Sequence, residues 1–142
     1  MTTSRASAVW EGKLRDGRGS FKSDSGTFKG DYTFRTRFEG APGSTPEELI
    51  AAAHAACFSM ALSGDLDKAG TPATRIETEA ACTVEKVGDG FKITTMDLRV
   101  RGKVPGIDQA KFQQAAEGTK NGCPVSGALK GNVQIKVDAK LE

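Results

Sequence analysis

Polar and apolar residues alternate through most of this chain, and one long central run breaks the pattern. In the first 40 residues, Gly12, Gly17, Gly19, Gly26 and Gly30 separate short segments around 6–11, 19–23, 26–29 and 32–38. These read as strands and hairpins. Within the last of them, Tyr32, Phe34, Thr36 and Phe38 would share one strand face, with Thr33, Arg35, Arg37 and Glu39 on the other.

The central run begins after a loop, Gly40-Ala41-Pro42-Gly43-Ser44. Thr45 suits an N-cap, Pro46 the first helical position, and Glu48 the third, where it completes a capping box. The alanine-rich sequence that follows favours helix as far as Lys68, with Gly70 and Pro72 as stop signals. From Leu49 to Leu62 only His54 and Ser59 interrupt its apolar character, so the helix is expected to be buried on most sides.

Alternation then returns. In residues 75–86, Ile76, Ala80, Cys82 and Val84 oppose Glu77, Glu79, Thr83 and Glu85. A turn at Gly88-Asp89-Gly90 leads into 91–101, where Met96, Leu98 and Val100 share a face, and Val104-Pro105-Gly106 ends the hairpin. Residues 107–120 read as a polar, amphipathic helix, and 124–130 as a short one closed by Gly131. Val133, Ile135, Val137, Ala139 and Leu141 make a final strand with one wet face. The order predicts an α+β fold, with a hydrophobic central helix on a curved antiparallel sheet. With no internal repeat or low-complexity linker, residues 1–142 are expected to form one domain.

Composition narrows the function. Twenty basic and 18 acidic residues give a net charge of +2, and no basic stripe marks a nucleic-acid surface. No segment reads as the roughly 20 apolar residues that span a bilayer, and the N-terminus lacks the apolar stretch of a signal peptide. The expectation is a cytoplasmic protein with neither a nucleic-acid nor a membrane partner. Three cysteines without a Cys-x-x-Cys, and a single histidine, argue against a disulfide framework or a zinc site. No cofactor and no metal are expected. In a reducing compartment, paired cysteines point instead to redox chemistry.

Cys123 lies in Asn121-Gly122-Cys123-Pro124-Val125-Ser126, where a helix start would favour its thiolate, although such a turn also accommodates a small residue for no chemical reason. Cys57 sits mid-helix among alanines, where burial raises a thiol pKa unless a cation is near. Arg35 and Arg37 are candidate cations. With Glu48 used in the capping box, Glu47 is free to orient an arginine. Glu47 precedes Cys57 by ten helical residues, about 15 Å along the axis and roughly 80° around it, so the two do not touch. Glu47 reads equally well as an exposed carboxylate at the helix dipole. His54 shares a face with Cys57, but a buried, hydrogen-bonded histidine is a simpler reading than a Cys–His dyad. Cys82 reads as core.

Thr36-Arg37-Phe38-Glu39-Gly40, Thr45-Pro46-Glu47-Glu48-Leu49, the run from His54 through Ala55-Ala56-Cys57-Phe58-Ser59-Met60-Ala61-Leu62, and Gly122-Cys123-Pro124-Val125-Ser126 together resemble the OsmC/Ohr family of peroxide-detoxifying proteins. The His-Ala-Ala-Cys-Phe-Ser-Met-Ala-Leu run and Val104-Pro105-Gly106-Ile107-Asp108 resemble its OsmC branch more than its Ohr branch. The resemblance implies a cysteine-based hydroperoxide reductase, with organic hydroperoxides as the expected substrates and hydrogen peroxide as a second candidate. Cys57 would be the peroxidatic and Cys123 the resolving thiol, with Arg37 and Glu47 completing the site. It further implies the OsmC/Ohr-like fold, an intertwined homodimer with active sites at the subunit interface, and an external dithiol reductant, for which a lipoyl-type dithiol is the candidate. Phe38, Ile50 and Met60 are candidates to line a pocket for the organic group, and each reads equally well as plain core. A redox-sensing or ligand-binding dimer without catalytic turnover is the competing reading.

Overall fold

Paired aromatic residues organise the first strands. The computed structural model describes Met1–Glu142, which fold as two compact units, Met1–Pro46 and Glu47–Glu142. In the first, β1 (Ala6–Glu11), β2 (Arg18–Ser23) and β3 (Lys29–Tyr32) form an antiparallel sheet in that order. Gly19 lies opposite Trp10 on one side and Tyr32 on the other. A Cβ there would come within 2.5 Å of the Tyr32 ring and 2.8 Å of the Trp10 ring. Only glycine lets the two rings approach, with centroids 5.5 Å apart.

Two expectations for this region are corrected. Most of residues 26–29 belongs to a turn, which Ser23 N–H closes onto the Phe28 carbonyl, and only Lys29 enters a strand. Residues 32–38 do not continue as a strand either, because the chain turns into a short helix, α1 (Phe34–Phe38). Thr33 caps it: its Oγ1 accepts from Thr36 N–H at 3.1 Å, and Thr36 Oγ1 accepts from Thr33 N–H at 2.9 Å. This reciprocal pair is a capping box with threonine in the usual place of glutamate. The Phe34 and Phe38 rings meet at a tilt of 53°, with centroids 5.0 Å apart. Arg35 and Arg37, two residues apart on a helix, point in different directions and do not share a face.

The second unit is built on α2 (Pro46–Lys68), which starts at the expected proline and ends at the expected lysine. His54, Phe58, Leu62 and Leu66 recur every four residues and form its buried stripe. Phe58, Leu62 and Leu66 share one core cluster with Met96, Leu98 and Val100 of β5 (Gly90–Lys103) and with Phe112 and Ala116 of α3 (Gln109–Gly122). Each such large side chain, fully buried, contributes about 1.5–3 kcal/mol. The opposite face of α2 is open: Ala52, Ala53, Ala56 and Met60 are exposed, Met60 at 81%. A single chain therefore covers one side of this helix, not most sides. Its length and mean hydropathy of 1.4 would suit a membrane span, which the sequence was not expected to contain, but its stripe on the sheet gives it the part of a core helix.

β4 (Arg75–Val87) pairs with β5 antiparallel through the tight turn at Gly88-Asp89, with a register shift at Thr83/Val84. β6 (Gln134–Leu141) joins the other side of β5 in parallel. The sheet is therefore mixed and not wholly antiparallel as expected, because α3 and α4 (Pro124–Leu129) carry the chain back before β6 begins. Asp108 caps α3 by accepting from Lys111 N–H at 2.8 Å. Gly102 admits this helix to the sheet: a Cβ there would stand 2.5 Å from the Phe112 ring.

Candidate active site

The seating of α2 on the sheet decides where Cys57 goes. Cys57 precedes Phe58, so it stands at the edge of the buried stripe, partly exposed. Cys123 is the residue between α3 and α4, with only 1% of its surface exposed. Its N–H still closes α3 on the Thr119 carbonyl at 2.9 Å, and its carbonyl accepts the Gly127 N–H of α4 at 3.0 Å. Both flanking helices thus fix the backbone that carries the thiol. The two Sγ atoms lie 3.0 Å apart, and both cysteines are free thiols. At that separation the two thiols are in hydrogen-bonding contact.

The surroundings treat the sulfurs differently. Burial first, and then the hydrogen bond with Cys123, raise the Cys57 pKa, against a smaller opposing effect of the Val125 N–H. Burial also works against the Cys123 thiolate. There, however, hydrogen bonds from Cys57, from the Ser126 N–H and hydroxyl, and from the Val125 N–H outweigh it and lower the pKa. Within Glu47–Glu142 the surroundings therefore favour the thiolate at Cys123 over Cys57. Access runs the other way. Cys57 lines a cleft of about 410 Å³ with Met60, Ala61, Asp65, Lys68 and Pro124, and Cys123 does not.

His54 is fully buried, as expected of a core histidine. Its Nε2 lies 2.7 Å from Ser126 Oγ, a hydrogen bond between residues 72 apart, so its partner is a serine and not Cys57. Burial lowers its pKa and keeps the ring neutral. Ser126 belongs to the Gly-Cys-Pro-Val-Ser motif, and the sequence alone assigns it no role. Its helical position three residues after a cysteine was the one available signal. Cys82 packs on the core as expected; burial and then the charge of Glu47 raise its pKa.

Of the expected site residues, the fold brings Cys57 and Cys123 together. Glu47 lies in the first turn of α2, only 4% exposed, and not as a solvated carboxylate. Arg37 belongs to the first unit, on α1. Its guanidinium lies 5.0 Å from the Phe38 ring centroid, at a pocket of about 230 Å³ shared with Trp10, Leu14, Tyr32 and Phe34. Of the expected pocket residues, Met60 lines the cleft beside Cys57, Phe38 lines this second pocket, and Ile50 packs on the core. No group of three His, Cys, Asp or Glu side chains is placed to hold a metal ion.

The profile of the OsmC-like protein family matches residues 38–138, which include both sulfurs. The chain belongs to the OsmC family. It is 45% identical to peroxiredoxin OsmC of Escherichia coli strain K12 over 137 residues, 96% of each chain. It is 33% identical to the organic hydroperoxide resistance protein OhrB of Bacillus subtilis strain 168, over 89% of this chain and 93% of that one. The higher identity places it nearer the OsmC relative than this Ohr relative. The OsmC fold is also that of the crystal structure of an organic hydroperoxide resistance protein from Elizabethkingia anophelis with thiocyanate bound. That structure superposes with a TM-score of 0.78 at 25% identity, covering 100% of this chain and 98% of the other.

Proposed function

We propose that this OsmC-family protein is a thiol peroxidase that reduces organic hydroperoxides to alcohols, with Cys57 as the peroxidatic and Cys123 as the resolving cysteine. One observation carries the reading: two free sulfurs 3.0 Å apart, of which only Cys57 lines a cleft. The names of the relatives, a peroxiredoxin and an organic hydroperoxide resistance protein, support the same chemistry.

The Cys57 thiolate attacks a peroxide oxygen. The O–O bond breaks, the alkoxide takes up a proton and leaves as alcohol, and the sulfur becomes a sulfenic acid. Cys123 then condenses with it to a disulfide, releasing water, and an external dithiol restores both thiols by exchange. We assign that reductant to the lipoyl type.

Cys57 needs a cation to become the thiolate, since its surroundings in Glu47–Glu142 raise its pKa. We assign this to Arg37, oriented by Glu47. A carboxylate that is 4% exposed calls for a paired cation, and the aromatic pocket at Arg37 suits the organic part of a hydroperoxide better than it suits hydrogen peroxide. Both units, residues 1–142, act in this reading as one OsmC-type domain, supported by the alignment along 96% of a relative. The open apolar face of α2 supports a homodimer in which a second copy covers it. The free thiols suit a cytoplasmic location.

Steady-state consumption of cumene hydroperoxide and hydrogen peroxide with a lipoyl-type dithiol tests the activity. Many equivalents consumed per protein, with cumene hydroperoxide preferred, is the expected result. A single equivalent consumed despite excess dithiol would make the pair a sensor and not an enzyme.

A further inference from the structure

Behind the sulfur pair lies a row of buried polar groups. His54, Ser126 and Cys123 are each exposed by 1% or less. His54 Nε2 stands 2.7 Å from Ser126 Oγ. Ser126 lies in the first turn of α4, three residues after Cys123, where its hydroxyl favours the Cys123 thiolate. Cys57 Sγ is 3.0 Å from Cys123 Sγ. Burying an imidazole costs free energy unless its polar atoms are paired, yet His54 Nδ1 has no partner. An apolar side chain would fill this space at less cost. The one hydrogen bond that His54 makes points toward the thiols.

We propose that His54 and Ser126 are positioning residues for the resolving step. Neutral His54 donates its Nε2–H to Ser126 Oγ, which directs the Ser126 hydroxyl hydrogen onto Cys123 Sγ and readies that sulfur as a thiolate. The inference rests on the reading of Cys57 as the first sulfur oxidised and Cys123 as the second.

The arrangement accounts for the orphaned nitrogen. With the single ring proton on Nε2, Nδ1 carries a lone pair and no hydrogen. In the opposite tautomer Ser126 would donate to His54, Cys123 would lose its donor, and an N–H would be buried unpaired. Burial lowers the His54 pKa, which keeps the donating neutral form. Besides Arg37, assigned above to Cys57, the titratable and charged groups at the sulfurs come from α2, at the mouth of the cleft: Asp65 and Lys68. Asp65 is held by Thr119, whose Oγ1 donates to Asp65 Oδ2 at 2.7 Å.

In the resolving step the Cys123 lone pair forms the S–S bond as the Cys57 S–O bond breaks. Hydroxide leaves and takes the proton that the Cys123 thiol released, giving water. Cys123 is oxidised and the sulfenic sulfur reduced. On reduction, a dithiol attacks Cys57 Sγ and the S–S electron pair departs on Cys123, where the same Ser126 hydrogen stabilises it.

The test is a single turnover of the full-length reduced protein with one equivalent of cumene hydroperoxide, quenched rapidly. Dimedone labels the sulfenic acid, and mass spectrometry counts the disulfide. In Ser126→Ala and His54→Leu the sulfenic acid should form within about twofold of the wild-type rate. The disulfide should form about tenfold more slowly, as expected for losing a hydrogen bond to a charged group, and its pH midpoint should move upward. His54→Gln, which keeps an N–H at similar reach, should restore most of the rate. Wild-type disulfide formation in Ser126→Ala would overturn the proposal. Equal slowing of both steps would also overturn it, because that pattern marks a structural role. If His54→Leu does not fold, Ser126→Ala decides alone. Dimedone found on Cys123 instead of Cys57 would overturn the order of the sulfurs, and this inference with it. A normal Cys57 sulfenic acid with unchanged resolution would overturn this inference only.

Discussion

Cys57 Sγ and Cys123 Sγ lie 3.0 Å apart across 66 residues of sequence. A disulfide needs about 2.05 Å, so the reduced sulfurs are about one ångström from bonding. The buried stripe of α2 and the two helices that meet at Cys123 make this approach a property of the fold. Oxidation is therefore expected to need side-chain adjustment and no rearrangement of the core. In Cys123→Ser the Cys57 sulfenic acid should accumulate for lack of a nearby thiol, and turnover with a dithiol should fall about tenfold or more. Dimedone labelling checks the first and steady-state kinetics the second; unchanged turnover would remove Cys123 from the cycle.

Arg35 and Arg37 make a sharper pair for mutation than their shared spacing suggested. Arg35 Nε pairs with Glu39 at 3.5 Å, both side chains well exposed, and such surface pairs contribute at most about 1 kcal/mol. Arg37 sits at the aromatic pocket. Arg37→Ala should slow peroxide reduction about a hundredfold, the scale of losing one charge-stabilising donor in an active site, and Arg35→Ala less than twofold. Stopped-flow oxidation of the reduced protein measures both. Equal effects would reject Arg37 as the cation for Cys57.

Ala53 tests the second copy. It lies on the exposed apolar face of α2, where an arginine alters no buried packing of the single chain. Ala53→Arg should lower the molecular mass seen by sedimentation from two chains to one and reduce turnover in parallel. A dimer unaffected by this change would mean that the helix face is covered in some other way.

His54 sets a pH dependence of stability. Its folded pKa is lowered by burial below the ordinary 6.5, so the unfolded chain binds the proton more readily. The neutral ring's contribution is fully present above about pH 6.5 and is lost as acidification proceeds toward the lower folded pKa. The melting temperature of the wild type should fall over that range more steeply than that of His54→Gln, which has nothing to protonate there. Parallel melting curves for the two proteins would show that His54 does not titrate on unfolding.

Local signals were legible in the sequence and long-range ones were not. Pro46 and Lys68 bound α2 because a helix start and stop are written in adjacent residues, and the alternation of 75–86 and 91–101 marked the faces of β4 and β5. Residues 32–38 misled because Thr33 and Thr36 cap each other, a pairing outside the usual Ser/Thr-to-Glu signature, while the period-two pattern of Phe34, Thr36 and Phe38 imitates a strand. The parallel register of β6 depends on the return path through α3 and α4, which its own residues do not encode. Both cysteines stood out, but their approach came from family resemblance. Ser126 carries no local signal of its partner, because His54 lies 72 residues away.

The most direct test of the sulfur pair is mass spectrometry of the reduced wild-type protein after one equivalent of cumene hydroperoxide, with Cys57→Ser treated in parallel. The wild type should contain a Cys57–Cys123 disulfide and leave no peroxide, while Cys57→Ser should form no disulfide and leave the peroxide unconsumed. Full peroxide consumption by Cys57→Ser, or a wild type that consumes peroxide without forming this disulfide, would contradict the account.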